Sequence, residues 1–554
     1  MAIHLVNGLA LAGGGQAASI VYSAAPQSRA WEAARMFQDA LEDIAGVWPA
    51  AWREDELAAL PPGVVVLVGP SRFTRDVLEV ESLPPQTARI ISRPDRLYLV
   101  GAPPAAETVS RARGAGWRDR HYMLEDEYSD GTLYAVTWFL KQWLAVDQLF
   151  PGDLGRVYPS SEHVEVPIGL DETYTPKTIF RRLRNNCSGR GRDAEGLAKL
   201  GLDPRLVRDR EPIGRDWFRR QYLGFSADLR FTHNFAGWWE RYGKDHPDWF
   251  AMQTNGSRDQ SAENPDRVRF CKSNPGFIRH VADTIKAHFR AHPSAQSYSI
   301  SLNDGGCHMG FCECDACQAL DPAEAPKVKY GGRERPSLTD RIFTFYSRVA
   351  EQVAEEFPDK LLGAYAYSAY RQPPVRVTSL PPNLLIGLVT LQYENEDRRQ
   401  EGRREIAAWA RLCKNLFIRP NALWAFRGFP AFFARRLAQD ARDAIALGCV
   451  GFDWDCNVGH WAASGVNVWI LAQVMWNPAL DVDELLERYC RLGFGRGWQA
   501  VRDYFLRVEA LSEGYARSNR WIEWTHSIGD LASIYTDEWL SGSLDLLAKA
   551  DSME

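Results

Sequence analysis

Ser297-Tyr-Ser-Ile-Ser-Leu-Asn-Asp304, followed at once by Gly305-Gly306, is the stretch on which the fold turns. It reads as a strand that ends in polar residues. Successive side chains of a strand point to opposite faces, so Asn303 and Asp304 reach one pocket only where the strand stops and the backbone bends. The two glycines supply that bend and leave room for a ligand. The same rhythm, an apolar strand with a polar end followed by a long amphipathic helix, recurs from about Val166 to Arg496. Strand ends are expected at Arg230-Phe-Thr-His-Asn234, Leu361-Leu-Gly-Ala-Tyr-Ala-Tyr367, Leu384 to Glu394, Leu416-Phe-Ile-Arg419 and Cys449 to Asp455. Helices are expected at Asn274 to Ala291, Leu338 to Phe357, Glu405 to Cys413 and Ala431 to Leu447. Strand and helix units in this number imply a parallel sheet, and a closed (β/α)8 TIM-like barrel over residues 166–496 is the economical solution. Such a barrel carries its chemistry at the C-terminal ends of its strands.

Outward from the barrel the pattern changes. Residues 1–165 alternate apolar strands (Ala18 to Tyr22, Val64 to Gly69, Leu97 to Gly101) with amphipathic helices beginning at Ala30 and Gly131, which predicts an α/β sandwich domain. The turn-rich segment Pro151-Gly-Asp-Leu-Gly-Arg-Val-Tyr-Pro159 leads out of it. Residues 497–554 read as a C-terminal helical region.

Composition narrows the partners. Lys+Arg 65 against Asp+Glu 71 give a net charge of -6, which argues against a nucleic-acid binder, since that role needs a basic face. No apolar run approaches the roughly 20 residues that span a bilayer. The start, Met1-Ala-Ile-His-Leu, lacks the regions of a signal peptide, as in a cytoplasmic protein or one whose leader has been removed. Twenty tryptophans and 20 tyrosines exceed the 11 histidines, and rings with a polar edge both fill cores and floor sugar-binding clefts.

The strand ends concentrate candidate chemistry. Asp304 is the leading general acid for a glycosidic oxygen, with the Asn303 amide holding a substrate group; the same pair also fits a turn cap. Glu394 is the reserve acid, with Glu396 beside it. Asp453, Asp455 and Trp461 suit the gripping of hydroxyls and the stacking of a ring, and His233, Asn234 and Trp238 form a further wall. Tyr365, Tyr393 and Trp424 complete the substrate-binding set. Cys307-His-Met-Gly-Phe-Cys-Glu-Cys-Asp-Ala-Cys317 places Cys307, Cys312, Cys314 and Cys317 as ligands of a structural zinc, with disulfides or reduced structural thiols as the rival readings. The other six cysteines, Cys271 among them, read as small buried hydrophobes. Phosphate loops, H-E-x-x-H and G-x-S-x-G are absent, so no cofactor is expected for catalysis.

These residues carry a resemblance. Gly131-Thr-Leu-Tyr-Ala-Val-Thr-Trp-Phe-Leu with Pro151 to Pro159 resembles the end of the α/β domain that precedes the barrel in α-glucuronidases. Ser301-Leu-Asn-Asp-Gly-Gly, Cys312-Glu-Cys-Asp-Ala-Cys317 and Val474-Met-Trp-Asn-Pro-Ala-Leu-Asp-Val-Asp-Glu-Leu-Leu resemble glycoside hydrolase family 163, as do His246-Pro-Asp-Trp-Phe250 and Ser273-Asn-Pro275. The resemblance implies an endo-β-N-acetylglucosaminidase that cuts the chitobiose core of N-glycans with retention, the substrate acetamido group acting as nucleophile. By analogy with substrate-assisted hydrolases, Asn303 would orient the acetamido group and Asp304 would protonate the leaving oxygen. It further implies a glycan or glycoprotein partner and a secreted or periplasmic setting. Three rivals stand beside it. One is another glycosidase, exo-acting or a uronidase with Arg371, Arg419 or Arg427 on the carboxylate; another is a catalytically silent glycan-binding protein; the third and weakest is a metal-dependent enzyme that uses the cysteine cluster.

Overall fold

The computed structural model describes residues 8–553 except 78–82, 105–127, 186–215, 228, 230–231, 305–310, 331–332, 423–428, 458–460 and 519–527. Its first layer is a six-stranded sheet in the order Asp171–Tyr174, Ala88–Arg93, Arg96–Gly101, Val65–Val68, Ser19–Tyr22, Ala51–Arg53. The strands from Ser19, Ala51, Val65 and Arg96 run parallel, and the other two are antiparallel additions. Helices Ala30–Ala45 and Gly131–Trp143 bury their apolar faces on it, Phe37 lying 5.9 Å from Phe139 between them. Asp130 caps the second helix, its carboxylate accepting from the Thr132 and Leu133 amides. The strand Asp171–Tyr174 pairs antiparallel with Ala88–Arg93 at one edge of this sheet.

The second sheet positions the chemistry. Its strands are β1 (Phe180–Asn185), β2 (Gly224–Phe225), β3 (Ser297–Ser299), β4 (Leu361–Ala366), β5 (Leu384–Leu388), β6 (Leu416–Ile418) and β7 (Gly451–Asn457), ordered β2-β1-β7-β6-β5-β4-β3. All neighbours are parallel except β1 and β2. Of the closed eight-stranded barrel expected from the sequence, the described residues form a curled half-barrel of seven strands. At its β3 edge residues 232–234 run alongside without strand pairing of their own: Asn234 N donates to Ser301 O (3.2 Å) and Ser299 Oγ to Thr232 O (2.6 Å).

The period of two sorts side chains to the two faces. Leu362, Ala364, Ala366, Leu384, Ile386, Leu388, Leu416, Ile418, Phe452 and Trp454 join the large outer core under the helices. Phe180, Phe225, Tyr365, Leu385, Val389 and Phe417 form a smaller cluster on the inner face. The covering helices are Pro275–Ala291, Thr339–Ala354, Glu396–Leu412 and Ala434–Ala446, close to expectation except the third. That helix starts earlier because Asn395 caps it, its side chain accepting from the Arg398 amide. Glu396, expected at a strand end, is therefore the first helical residue and pairs with Arg436.

Helices Trp461–Trp476, Val482–Gly493, Trp498–Arg517, Ile528–Ile534 and Asp537–Asp551 close the chain. The first is buried from Ser464 to Trp476, and its Trp476 stacks on Tyr222 at 4.6 Å and meets Tyr134 of the first layer at 4.9 Å. Among the described residues no helix is long and apolar enough to cross a membrane.

Candidate active site

Beyond the apolar inner cluster, the C-terminal strand ends present polar groups to the same side of the sheet. Tyr365 belongs to β4, Arg419 follows β6, and Asp453 and Asp455 belong to β7. Arg182 of β1 is in register with Asp453. The Arg419 guanidinium ties the set together: it donates to Asp455 Oδ2 (2.7 Å) and Asn421 Oδ1 (2.8 Å), comes within 4.0 Å of Asp453 Oδ2, and lies 5.1 Å from the centre of the Tyr365 ring. Tyr365 in turn meets the His233 imidazole edge-on at 5.6 Å, with Tyr367 at 6.4 Å. His233 Nε2 stands 3.8 Å from Asp304 Oδ1.

Asp304 has 61% of its side chain exposed at this rim, yet its backbone is firmly held. Arg269 is buried and forks onto two successive carbonyls, Nη1 donating to Asn303 O (2.7 Å) and Nη2 to Asp304 O (2.6 Å). The planar guanidinium suits such a two-point grip. Asn303 is buried with its amide engaged by the backbone: Oδ1 accepts from Phe235 N (3.0 Å) and Nδ2 donates to Val268 O (3.2 Å). The expected substrate-orienting amide therefore fastens the strand end to the wall segment in this structure.

His233 has a defined tautomer. Its Nδ1 lies in close contact with the Leu302 carbonyl, an acceptor only, so Nδ1 carries the proton and Nε2 offers a lone pair toward Asp304. Burial pushes the imidazole below its ordinary pKa, outweighing the Leu302 hydrogen bond and the Asp304 charge that favour the cation. At neutral pH the imidazole is therefore neutral, with Nε2 facing the Asp304 carboxyl.

The remaining predicted residues divide clearly. Asn234 lies beside β3, its Nδ2 donating to Ser299 O (2.8 Å). Glu394 is buried after β5, and its Oε2 accepts from Tyr393 N (2.8 Å). Tyr393 is fully buried against Phe433 and Trp454. Trp238 is packed among Phe235, Tyr242, Phe270, Phe277 and His280. Both are core residues rather than walls of the open rim. Trp461 packs edge-on against Trp217 at 4.8 Å. Trp424, Arg427, Cys307 and the two glycines after Asp304 lie outside the described residues. Sequence reasoning missed Arg269 and Tyr367. Arg269 has no local signature, since its function is set by contacts across 34 and 35 positions.

The cysteines also regroup. Cys271, Cys312, Cys314 and Cys317 bring their sulfurs within 4.8 Å of one another, so Cys271 is one of a cluster and not the isolated hydrophobe expected from the sequence.

The profile of the family described as "Domain of unknown function (DUF4838)" matches residues 150–506, well over half of the chain. No curated protein matches the chain in sequence. Among solved structures, a family GH115 4-O-methyl-α-glucuronidase with specificity for decorated arabinogalactans is similar over 98% of this chain and 69% of its own, with 10% identity and a TM-score of 0.52. A β-N-acetylhexosaminidase from Bacteroides fragilis is similar over 86% and 89% respectively, with 14% identity and a TM-score of 0.42. The first of these likenesses is one of fold.

Proposed function

We propose, from the premise that this chain belongs to the DUF4838 family, that it is a glycoside hydrolase whose proton donor is Asp304. Within that class we assign it a retaining endo-β-N-acetylglucosaminidase activity on the chitobiose core of N-glycans, as in glycoside hydrolase family 163, on a sheet we take to be the core of a (β/α)8 barrel. The observation that carries the reading is the His233–Asp304 pair at the mouth of the curled sheet, on backbone clamped by Arg269. The fold shared with a solved glucuronidase and the motifs from Ser301 to Cys317 support it.

The chemistry follows from the proton inventory. Neutral His233 presents Nε2 toward Asp304 across 3.8 Å, which places an acid-base pair at an exposed rim. Bound sugar excludes water from the site, and a carboxyl deprived of water favours its proton-donating form. Asp304 then gives its proton to the leaving glycosidic oxygen while the substrate acetamido oxygen attacks the anomeric carbon, forming a cyclic oxazolinium ion. Water opens that ring from the face the leaving group vacated, Asp304 takes the water's proton, and the configuration is retained. Tyr365, Asp453 and Asp455 bind sugar hydroxyls; Asn303 acts as a positioning residue, and Glu394 remains the reserve acid.

A uronidase is less well supported. Arg419 is already engaged by two aspartates, and Arg371 by Glu401 and Glu405, so each of these guanidiniums has its charge matched before any uronate arrives. The test is incubation with complex and high-mannose N-glycoproteins, read by mass spectrometry. Released glycan together with a single GlcNAc left on the protein is expected. Glycan binding without release would overturn the assignment in favour of a silent binder, and release of terminal sugars would replace it with an exo-acting specificity.

A further inference from the structure

We propose that Cys271, Cys312, Cys314 and Cys317 bind one structural zinc ion as a tetrathiolate centre, independently of the glycosidase reading. All four are free thiols. The Cys271 sulfur is 3.7 Å from those of Cys314 and Cys317, and Cys312 is 3.4 Å from Cys314. A tetrahedron with zinc–sulfur bonds of roughly 2.3 Å has edges of about 3.8 Å, so these separations are close to the edges such an ion requires, and all four sulfurs lie within 4.8 Å of one another. Zinc entry displaces the thiol protons to solvent, and a divalent ion with four thiolates leaves the centre doubly negative.

The surroundings answer that charge. Met252 N donates toward Cys312 Sγ (3.3 Å), and Arg258 Nη1 approaches the same sulfur at 4.0 Å. Lys272, next to Cys271, is buried with its Nζ 4.6 Å from the centre of the Phe345 ring and 4.9 Å from that of Phe270. That ammonium has no hydrogen-bond partner among the described residues. An ammonium in so apolar an enclosure is costly unless a negative charge lies near, and the zinc tetrathiolate supplies one. Ser273 Oγ, 3.2 Å from Cys317 Sγ, adds a hydroxyl contact to a ligand sulfur.

The placement gives the ion a structural task. Cys271 follows Arg269 by two residues, and Arg269 grips the carbonyls of Asn303 and Asp304. Cys312 follows Asp304 in the chain, and Arg341 holds its carbonyl at 2.7 Å. One ion therefore ties together both chain segments that fix the rim. All four ligands are thiolates, so no position is left open for water, as in structural rather than catalytic zinc sites.

The test uses the full-length protein produced with zinc in the medium. Elemental analysis is expected to find about one zinc per chain, and cobalt exchange to give the charge-transfer and visible bands of tetrahedral thiolate-bound cobalt. Alkylation mapped by mass spectrometry should protect Cys271, Cys312, Cys314 and Cys317 until a chelator is added. Cys271→Ser should lower zinc content roughly ten-fold, whereas Cys449→Ser should not. If Cys271→Ser fails to fold, the metal content, cobalt spectrum and protection map of the unaltered protein decide. Absence of metal with four reactive thiols, a disulfide among them, bound iron in place of zinc, or protection of Cys307 instead of Cys271 would each overturn the proposal.

Discussion

At the scale of single residues the account rests on two side chains that prepare Asp304 without being the acid. His233 is held neutral by burial, its Nδ1 proton fixed on the Leu302 carbonyl. A folded-state pKa below the unfolded value of about 6.5 means that the unfolded chain binds the proton more readily. Stability contributed by the neutral imidazole is therefore intact above pH 6.5 and declines as the pH falls toward the folded-state value. We expect the difference in Tm between pH 7.5 and pH 5 to shrink in His233→Gln; an unchanged difference would remove His233 from the acid-sensitive groups. Arg269 acts through geometry. In Arg269→Lys one ammonium replaces the fork that grips two carbonyls, so kcat should fall at least ten-fold with little change in KM, and stability by about 1–3 kcal/mol. Kinetics and urea unfolding of the same variant check both parts, and an unchanged kcat would deny Arg269 its positioning role.

At the scale of elements, the inner face of the sheet leaves little spare volume below the polar rim. Gly387 of β5 is a filled position: a Cβ there would lie 2.5 Å from Phe417 Cζ and 3.0 Å from Tyr365 Cδ1. Gly387→Ala should cost about 1–3 kcal/mol through overpacking and, by displacing Tyr365, weaken substrate binding. Denaturant unfolding and KM measure the two effects, and a variant as stable as the parent would show that the inner face yields. Much of this level was legible in the sequence. The period of two marked most strands, and the polar strand ends delivered Asp304, Tyr365, Asp453 and Asp455 to one side. Less legible was what needed contacts between distant segments. Cys271 looked solitary because its partners lie more than 40 positions away, and Trp238 and Tyr393 looked like sugar platforms because an aromatic ring reads the same in a core as in a cleft. Residues 232–234 follow β3 by scattered side-chain and backbone bonds instead of a continuous ladder, so the described residues form only half of the expected barrel.

At the scale of the whole molecule, the two sheets are joined by buried polar contacts. Arg181 of β1 is fully buried and donates to Gln86 Oε1 (2.6 Å), Thr178 O (2.7 Å) and Tyr222 O (2.9 Å), while Tyr174 Oη donates to Trp476 O (2.8 Å). Arg181→Met would strand three buried acceptors, and we expect a loss on the order of 3–5 kcal/mol; an effect below about 1 kcal/mol would show that these contacts do not bind the layers together. The proposed chemistry of the molecule rests on one carboxyl at the rim, on backbone gripped by Arg269. Its most direct test compares the unaltered protein with Asp304→Asn on the N-glycoprotein panel, with glycan binding measured calorimetrically in parallel. The account predicts released glycan from the unaltered protein and a loss of roughly 10²–10⁴-fold in turnover by the variant, with affinity retained. Equal turnover by the variant would contradict it.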